Sequence, residues 1–110
     1  VKGEKTMKIT IQEFADLIYE HRKIAFARIA RKGYPCLNLD VECATRVIPG
    51  KKYTKVDVGP QTNWSGKFMV DAEGNIYGIK AYGVVHKGHY YGTLQTTHEW
   101  FWGDYHPRKL

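Results

Sequence analysis

Leu37-Asn38-Leu39-Asp40-Val41-Glu42-Cys43-Ala44-Thr45-Arg46-Val47-Ile48, residues 37–48, is the stretch on which the fold turns. Leu37, Leu39, Val41, Cys43, Thr45 and Val47 alternate with Asn38, Asp40, Glu42, Ala44 and Arg46. A period of two belongs to a strand with one face buried and one wet, so a strand is expected over 37–48. Pro49-Gly50 follows as a turn dipeptide. Tyr53 to Val58 then returns with Thr54, Val56 and Val58 on one face, which makes a hairpin.

Downstream, Gly59 to Gly66 is turn-rich and carries Trp64, so it reads as a loop. Lys67-Phe68-Met69-Val70 and Ile76-Tyr77-Gly78-Ile79-Lys80-Ala81-Tyr82 flank the short loop Asp71–Asn75, and read as a second hairpin. Gly78 inside a strand marks a bulge or a close backbone approach. A last strand is expected over Tyr90–Gln95. Gly78, Gly83, Gly88 and Gly92 suit strong curvature.

Upstream the period changes. Thr10-Ile11-Gln12-Glu13 is a capping box, in which each end residue satisfies the other's backbone amide. Ile11, Phe14, Ala15, Leu17 and Ile18 fall at helical spacing. Arg22 and Lys23 suit a helix C-terminus. A helix is therefore expected from about Ile11 to Glu20. Residues 24–32 extend the 3.6-residue pattern through Ala25, Phe26 and Ile29, yet His21 and Arg22 interrupt its apolar stripe. A strand is favoured there, ended by Gly33 and Pro35. The fold class expected is α+β: one N-terminal helix on a curved antiparallel sheet of about five or six strands, with 1–110 as a single domain.

Composition narrows the function classes. Hydrophobic residues make up 43% of the chain, which is enough for a core and argues against disorder. No apolar run approaches the roughly 20 residues of a membrane helix, so no membrane partner is expected. Val1-Lys2-Gly3-Glu4-Lys5 leads into no long apolar stretch, and no signal peptide is expected. The net charge is +6 and is uneven: residues 1–32 hold eight Lys or Arg against four acids. Arg22, Lys23, Arg28, Arg31 and Lys32 form a run with no acid among them. Such a run attracts polyanions, nucleic acid among them, although a solvated basic face is the plainer alternative.

Several motifs fail on spacing. Gly66-Lys67 lacks the upstream Gly and the following Ser or Thr of a phosphate loop. Cys36, Cys43, His86 and His89 are zinc-type ligands, but the cysteines lie too far apart for a finger, and His-x-x-His on a hairpin places the rings off one line. No metal and no cofactor are expected, and both cysteines read as reduced thiols. Asn63-Trp64-Ser65 matches a glycosylation acceptor that has no meaning without a secretory signal.

Two clusters carry chemistry. Val85-His86-Lys87-Gly88-His89-Tyr90-Tyr91-Gly92-Thr93 concentrates His, Lys and Tyr. A metal-free ribonuclease needs a base, an acid and a cation, and His86 and His89 with Lys87 and Tyr91 are of those types. A polar turn facing water is the alternative. The second cluster is aromatic: Tyr77, Tyr82, Tyr90, Tyr91, Trp100, Phe101, Trp102 and Tyr105 all follow position 76. Rings on a sheet face beside Lys80 and Lys87 form a platform for unpaired bases, although core packing claims about half of them. Trp100, Phe101 and Trp102 cannot all point inward on a strand. The nucleic-acid-facing set is thus Arg22, Lys23, Arg28, Arg31, Lys32, Lys80, Lys87, Tyr82, Tyr90, Tyr91 and Trp102.

From Ser65 to about Trp102, through Gly74-Asn75-Ile76-Tyr77-Gly78-Ile79 and His86-Lys87-Gly88-His89-Tyr90-Tyr91-Gly92, the chain resembles small uncharacterised proteins encoded by phages and mobile elements. The resemblance implies a cytoplasmic setting in an infected bacterial cell. It makes nucleic acid or a host nucleoprotein the natural partner, and transfers no catalytic motif. A nucleic-acid-binding or anti-defence-type interaction protein is the leading expectation. A small metal-independent ribonuclease or toxin comes second, and a virion-associated structural domain third.

Overall fold

The structure, a computed structural model, describes residues 8–30 and 38–110. Helix α1 spans Ile11–Ala30 and a single helical turn, α2, spans Leu39–Glu42. Strands β1 (Thr45–Ile48), β2 (Tyr53–Val58), β3 (Ser65–Asp71), β4 (Asn75–Ala81) and β5 (Val84–Thr93) form one antiparallel sheet in sequence order. After a 3-10 turn at Thr97–Glu99, β6 (Trp100–Phe101) and β7 (Arg108–Lys109) make a small ribbon. The fold class is α+β, one helix on a five-stranded antiparallel sheet. No helix among the described residues is long and apolar enough to cross a membrane.

The capping box closes as its residue types require. The Glu13 amide donates to Thr10 Oγ1 at 3.0 Å and the Thr10 amide donates to Glu13 Oε1 at 2.8 Å. Phe14, Ala15 and Ile18 then bury against Val56, Val58, Phe68, Val70, Ile76, Leu94 and Trp102. Alternation supplies the sheet side of this core, since Val56 lies opposite Phe68, and Val70 opposite Ile76. Both hairpins form. In the second, Asp71 Oδ1 accepts the amides of Glu73 and Asn75, and Gly74 adopts a φ of 88° that disfavours any side chain.

Three expectations change. First, Ile24–Ala30 continues α1 and is not a strand. No Gly or Pro interrupts the chain before Gly33, and a nucleated helix adds residues cheaply. His21 and Arg22 do not break the helix: the C-terminal segment covers His21, whose ring stacks on Phe101 at 4.8 Å, and Arg22 is held by the Glu42 carbonyl. Second, Leu39–Glu42 is helical, and only Thr45–Ile48 of residues 37–48 is a strand. One turn of helix accommodates so short an alternation, and α1 holds that turn in place. Tyr19 donates to Asp40, and an Arg22 amino group donates to the Glu42 carbonyl at 3.0 Å. Cys43 is buried, but in a turn and not on a strand face. Third, the last strand starts at Val84 and ends at Thr93, so it is longer than Tyr90–Gln95 and begins earlier.

Candidate functional site

The helix and the C-terminal ribbon both pack on one side of the sheet. Trp102 reaches Phe14 and Phe68 edge-on at 4.8 and 5.3 Å. Among the described elements, none packs on the other side. Directly paired residues of antiparallel strands point the same way. The pairs Ile48–Lys55, Lys55–Met69, Met69–Tyr77 and Tyr77–Tyr90 therefore draw one row across all five strands. Tyr77 stands between Tyr53 and Tyr90, with ring centroids 6.4 and 5.5 Å away. Tyr90 is 49% exposed and Tyr82 51%.

The electrostatics of this face are one-sided. Its one buried carboxylate, Asp57, is held by Arg46 Nε at 2.9 Å and by the Tyr82 hydroxyl at 3.1 Å. Asp71 spends its oxygens inside the hairpin turn. Cations instead sit over rings: Lys55 lies 4.9 Å from the Tyr82 centroid, Lys52 5.9 Å from Tyr53, and Arg46 4.8 Å from Trp64. These contacts fix aromatic planes and positive charge side by side.

On the helix side, between the sheet and the C-terminal segment, lies a cleft of about 470 Å³. Two register slips shape it. Val56 faces Phe68 and Asp57 faces Gly66, which leaves Lys67 unpaired. Strict alternation would send Lys67 outward as the neighbour of inward Phe68. A bulge re-aims a side chain, and Lys67 lines the cleft beside Arg22. On β5, Tyr90 faces Tyr77 while His86 faces Gly78, so Lys87, Gly88 and His89 bulge out. That slip brings His86 and His89 face to face, 4.0 Å apart and 6° from parallel. The rings share one axis, contrary to the offset expected of a regular hairpin.

Burial pushes Arg22 below the ordinary guanidinium range. Burial, then the charge of Arg22, pushes Lys67 below the ordinary ammonium range. Lys67 donates to the Tyr105 carbonyl and lies 4.9 Å from the Tyr105 ring centroid. His89, Tyr91 and His106 complete the polar wall. Burial also raises the Tyr91 hydroxyl.

The residues singled out from the sequence are thus divided. Tyr82 and Tyr90 lie on the helix-free face, whereas Arg22 and Tyr91 line the cleft. Lys23 lies over Tyr19 and Arg28 over Phe101, so the basic run is spread around α1. Arg31 and Lys32 fall outside the described residues. Lys80 and Lys87 are exposed on β4 and in the β5 bulge. Trp102 is 1% exposed and donates to the Thr97 carbonyl at 3.0 Å, so its ring is core and offers no stacking surface. Trp100 is half-buried at the edge of that cluster. His86 is half-buried and His89 exposed.

Sequence reasoning missed Tyr53, Lys55 and Arg46. The signal was present for two of them: with Thr54, Val56 and Val58 inward, Tyr53 and Lys55 must point outward. It set Lys67 aside with the rejected phosphate loop, and the direction of Lys67 depends on a bulge with no marker of its own. Among the described residues no group of three or more His, Cys, Asp or Glu is placed to hold a metal ion. Neither a protein-family model, nor a curated protein, nor a solved structure matches the chain.

Proposed function

We propose that this protein binds single-stranded nucleic acid on the helix-free face of its sheet. The observation that carries the reading is the tyrosine row, Tyr53–Tyr77–Tyr90, with Tyr82 beside it and Lys52 and Lys55 interleaved. Every base has a π-face, so stacking on such rings tolerates sequence, and lysines between them meet phosphates. Duplex bases are already stacked on each other and cannot use the row. The phage or mobile-element origin expected from the sequence would make nucleic acid or a host nucleoprotein the partner of this face.

The ribonuclease reading has less support. His86 and His89 stack on one another, whereas an acid and a base must flank a scissile phosphate from two sides.

Fluorescence anisotropy with labelled single- and double-stranded DNA and RNA tests the proposal. Single strands should bind more tightly than duplexes, with log affinity falling linearly with log salt. Tyr77→Ala or Tyr90→Ala should each weaken binding by roughly 5-fold or more, from a stacking loss of about 1–3 kcal/mol. Equal affinity of wild type and both variants overturns the reading. Cleaved probe on a denaturing gel would return the ribonuclease.

A further inference from the structure

We propose that the cleft on the helix side is a binding site for a phosphoryl group, a phosphate monoester held between Arg22 and Lys67 with His89 and His106 at the mouth. The site stands independently of the tyrosine row, which occupies the opposite side of the sheet.

Four groups able to carry positive charge line the cleft, and no carboxylate among the described residues lines it. Buried cations are ordinarily paired, because desolvation of an unpaired charge is costly. Here two of them are partly desolvated and repel each other. Their hydrogen-bond partners within the protein are backbone carbonyls, of Glu42 for Arg22 and of Tyr105 for Lys67. The Glu42 carboxylate also favours the charged form of Arg22, but burial outweighs it, and among the described residues Lys67 has no carboxylate beside it to offset the charge of Arg22. Arg22 Nε is buried with no hydrogen-bond partner among the described residues, a donor left idle where burial normally demands one. The fold also turns Lys67 towards Arg22 through a β-bulge, although the regular strand would turn it away.

A dianion answers each of these features. It neutralises two cations at once, and its several oxygens take donors from a guanidinium, an ammonium and two imidazoles. A single carboxylate would compensate half of that charge. At about 470 Å³ the cleft is at the lower end of small-molecule sites, and admits a phosphoryl group with one attached ring. Tyr91 and Tyr105 supply flat surfaces for such a ring. The phosphoryl group can arrive on a small metabolite or on the end of a nucleic-acid strand, and the chemistry of recognition is the same.

The test is thermal unfolding of the intact chain against inorganic phosphate, with chloride at matched ionic strength as the control. Wild type should show saturable stabilisation by phosphate that chloride does not reproduce. Lys67→Met should weaken the phosphate response by roughly 10-fold or more. It should also melt at or above wild type without phosphate, since it relieves repulsion with Arg22. His106→Gln, on an exposed residue, is the second variant and should weaken the response without disturbing the fold. Tyr77→Ala should leave the response intact, which separates failure of this site from failure of the sheet face. One oligonucleotide with a 5′-phosphate or a 5′-hydroxyl then distinguishes the sources. Preference for the phosphorylated end assigns the site to strand termini, and no preference assigns it to a small phosphate monoester. No phosphate-specific stabilisation, or an unchanged response in both Lys67→Met and His106→Gln, overturns the proposal.

Discussion

His21 is the residue on which α1 and the C-terminal segment meet. Its Nδ1 accepts the Trp102 amide at 2.9 Å and its ring stacks on Phe101. Gly103 follows because a β-carbon there would fall on the His21 carbonyl. Burial holds the imidazole below its ordinary value of 6.5. The unfolded chain therefore takes up the proton first as pH falls, and proton uptake favours unfolding. Protonation also converts Nδ1 from acceptor to donor, against a Trp102 amide that is itself a donor. The contribution of His21 is full above the ordinary imidazole value and is lost as pH falls through the lower, folded value. Urea unfolding should show stability declining as pH falls below the ordinary imidazole value of 6.5. His21→Phe, which keeps the stack and cannot titrate, should flatten that decline. An equal slope in both proteins would assign the acid sensitivity elsewhere. None of this was legible in the sequence, where His21 appeared as a polar interruption. Its partners lie about eighty positions away.

At the scale of elements, local chemistry and tertiary contact divided the outcome. The start of α1 was readable because a capping box spans four consecutive residues, complete within the chain that encodes it. Thr10→Ala removes the acceptor for the Glu13 amide and should cost about 1 kcal/mol in a denaturant melt, with Thr10→Ser close to neutral. The end of α1 was misjudged, because its last turns are covered by residues from the other end of the sequence. Arg28, for example, lies 5.4 Å from the Phe101 ring centroid. The hairpins were legible from alternation and turn residues, but the bulges were not. A bulge inserts one residue without changing composition, and only the pairing register reveals it. The cleft depends on both bulges, so its cationic wall could not be assembled from spacing.

Across the whole molecule, one sheet separates two unlike surfaces. The helix side buries Phe14, Phe68 and Trp102 in mutual contact, Trp102 edge-on to both phenylalanines, with Tyr91 against Phe68 and Trp102. Trp102 joins α1, β3 and the C-terminal segment, and its indole N–H is satisfied by the Thr97 carbonyl. Trp102→Ala leaves a large cavity and should cost roughly 3–5 kcal/mol. For a domain of this size that approaches the whole folding free energy, so a flattened melting transition is the expected readout. The other side leaves Tyr82 and Tyr90 exposed and Tyr53 and Tyr77 half-buried. Aromatic content therefore says little until the faces are assigned: Tyr90 and Tyr91 are neighbours in sequence, yet one joins the exposed row and the other lines the cleft.

The fold class, the capped start of the helix and both hairpins followed from short-range rules. Caps, turns and alternation act over a few residues, and their energies do not wait for the rest of the chain. The length of α1, the helical turn at Leu39–Glu42, the burial of Trp102 and the direction of Lys67 followed from contacts between distant segments. Those contacts outweigh weak local preferences of a fraction of a kcal/mol per residue. The clefts and faces on which function rests are products of that second kind, because a surface exists only once separate elements share it.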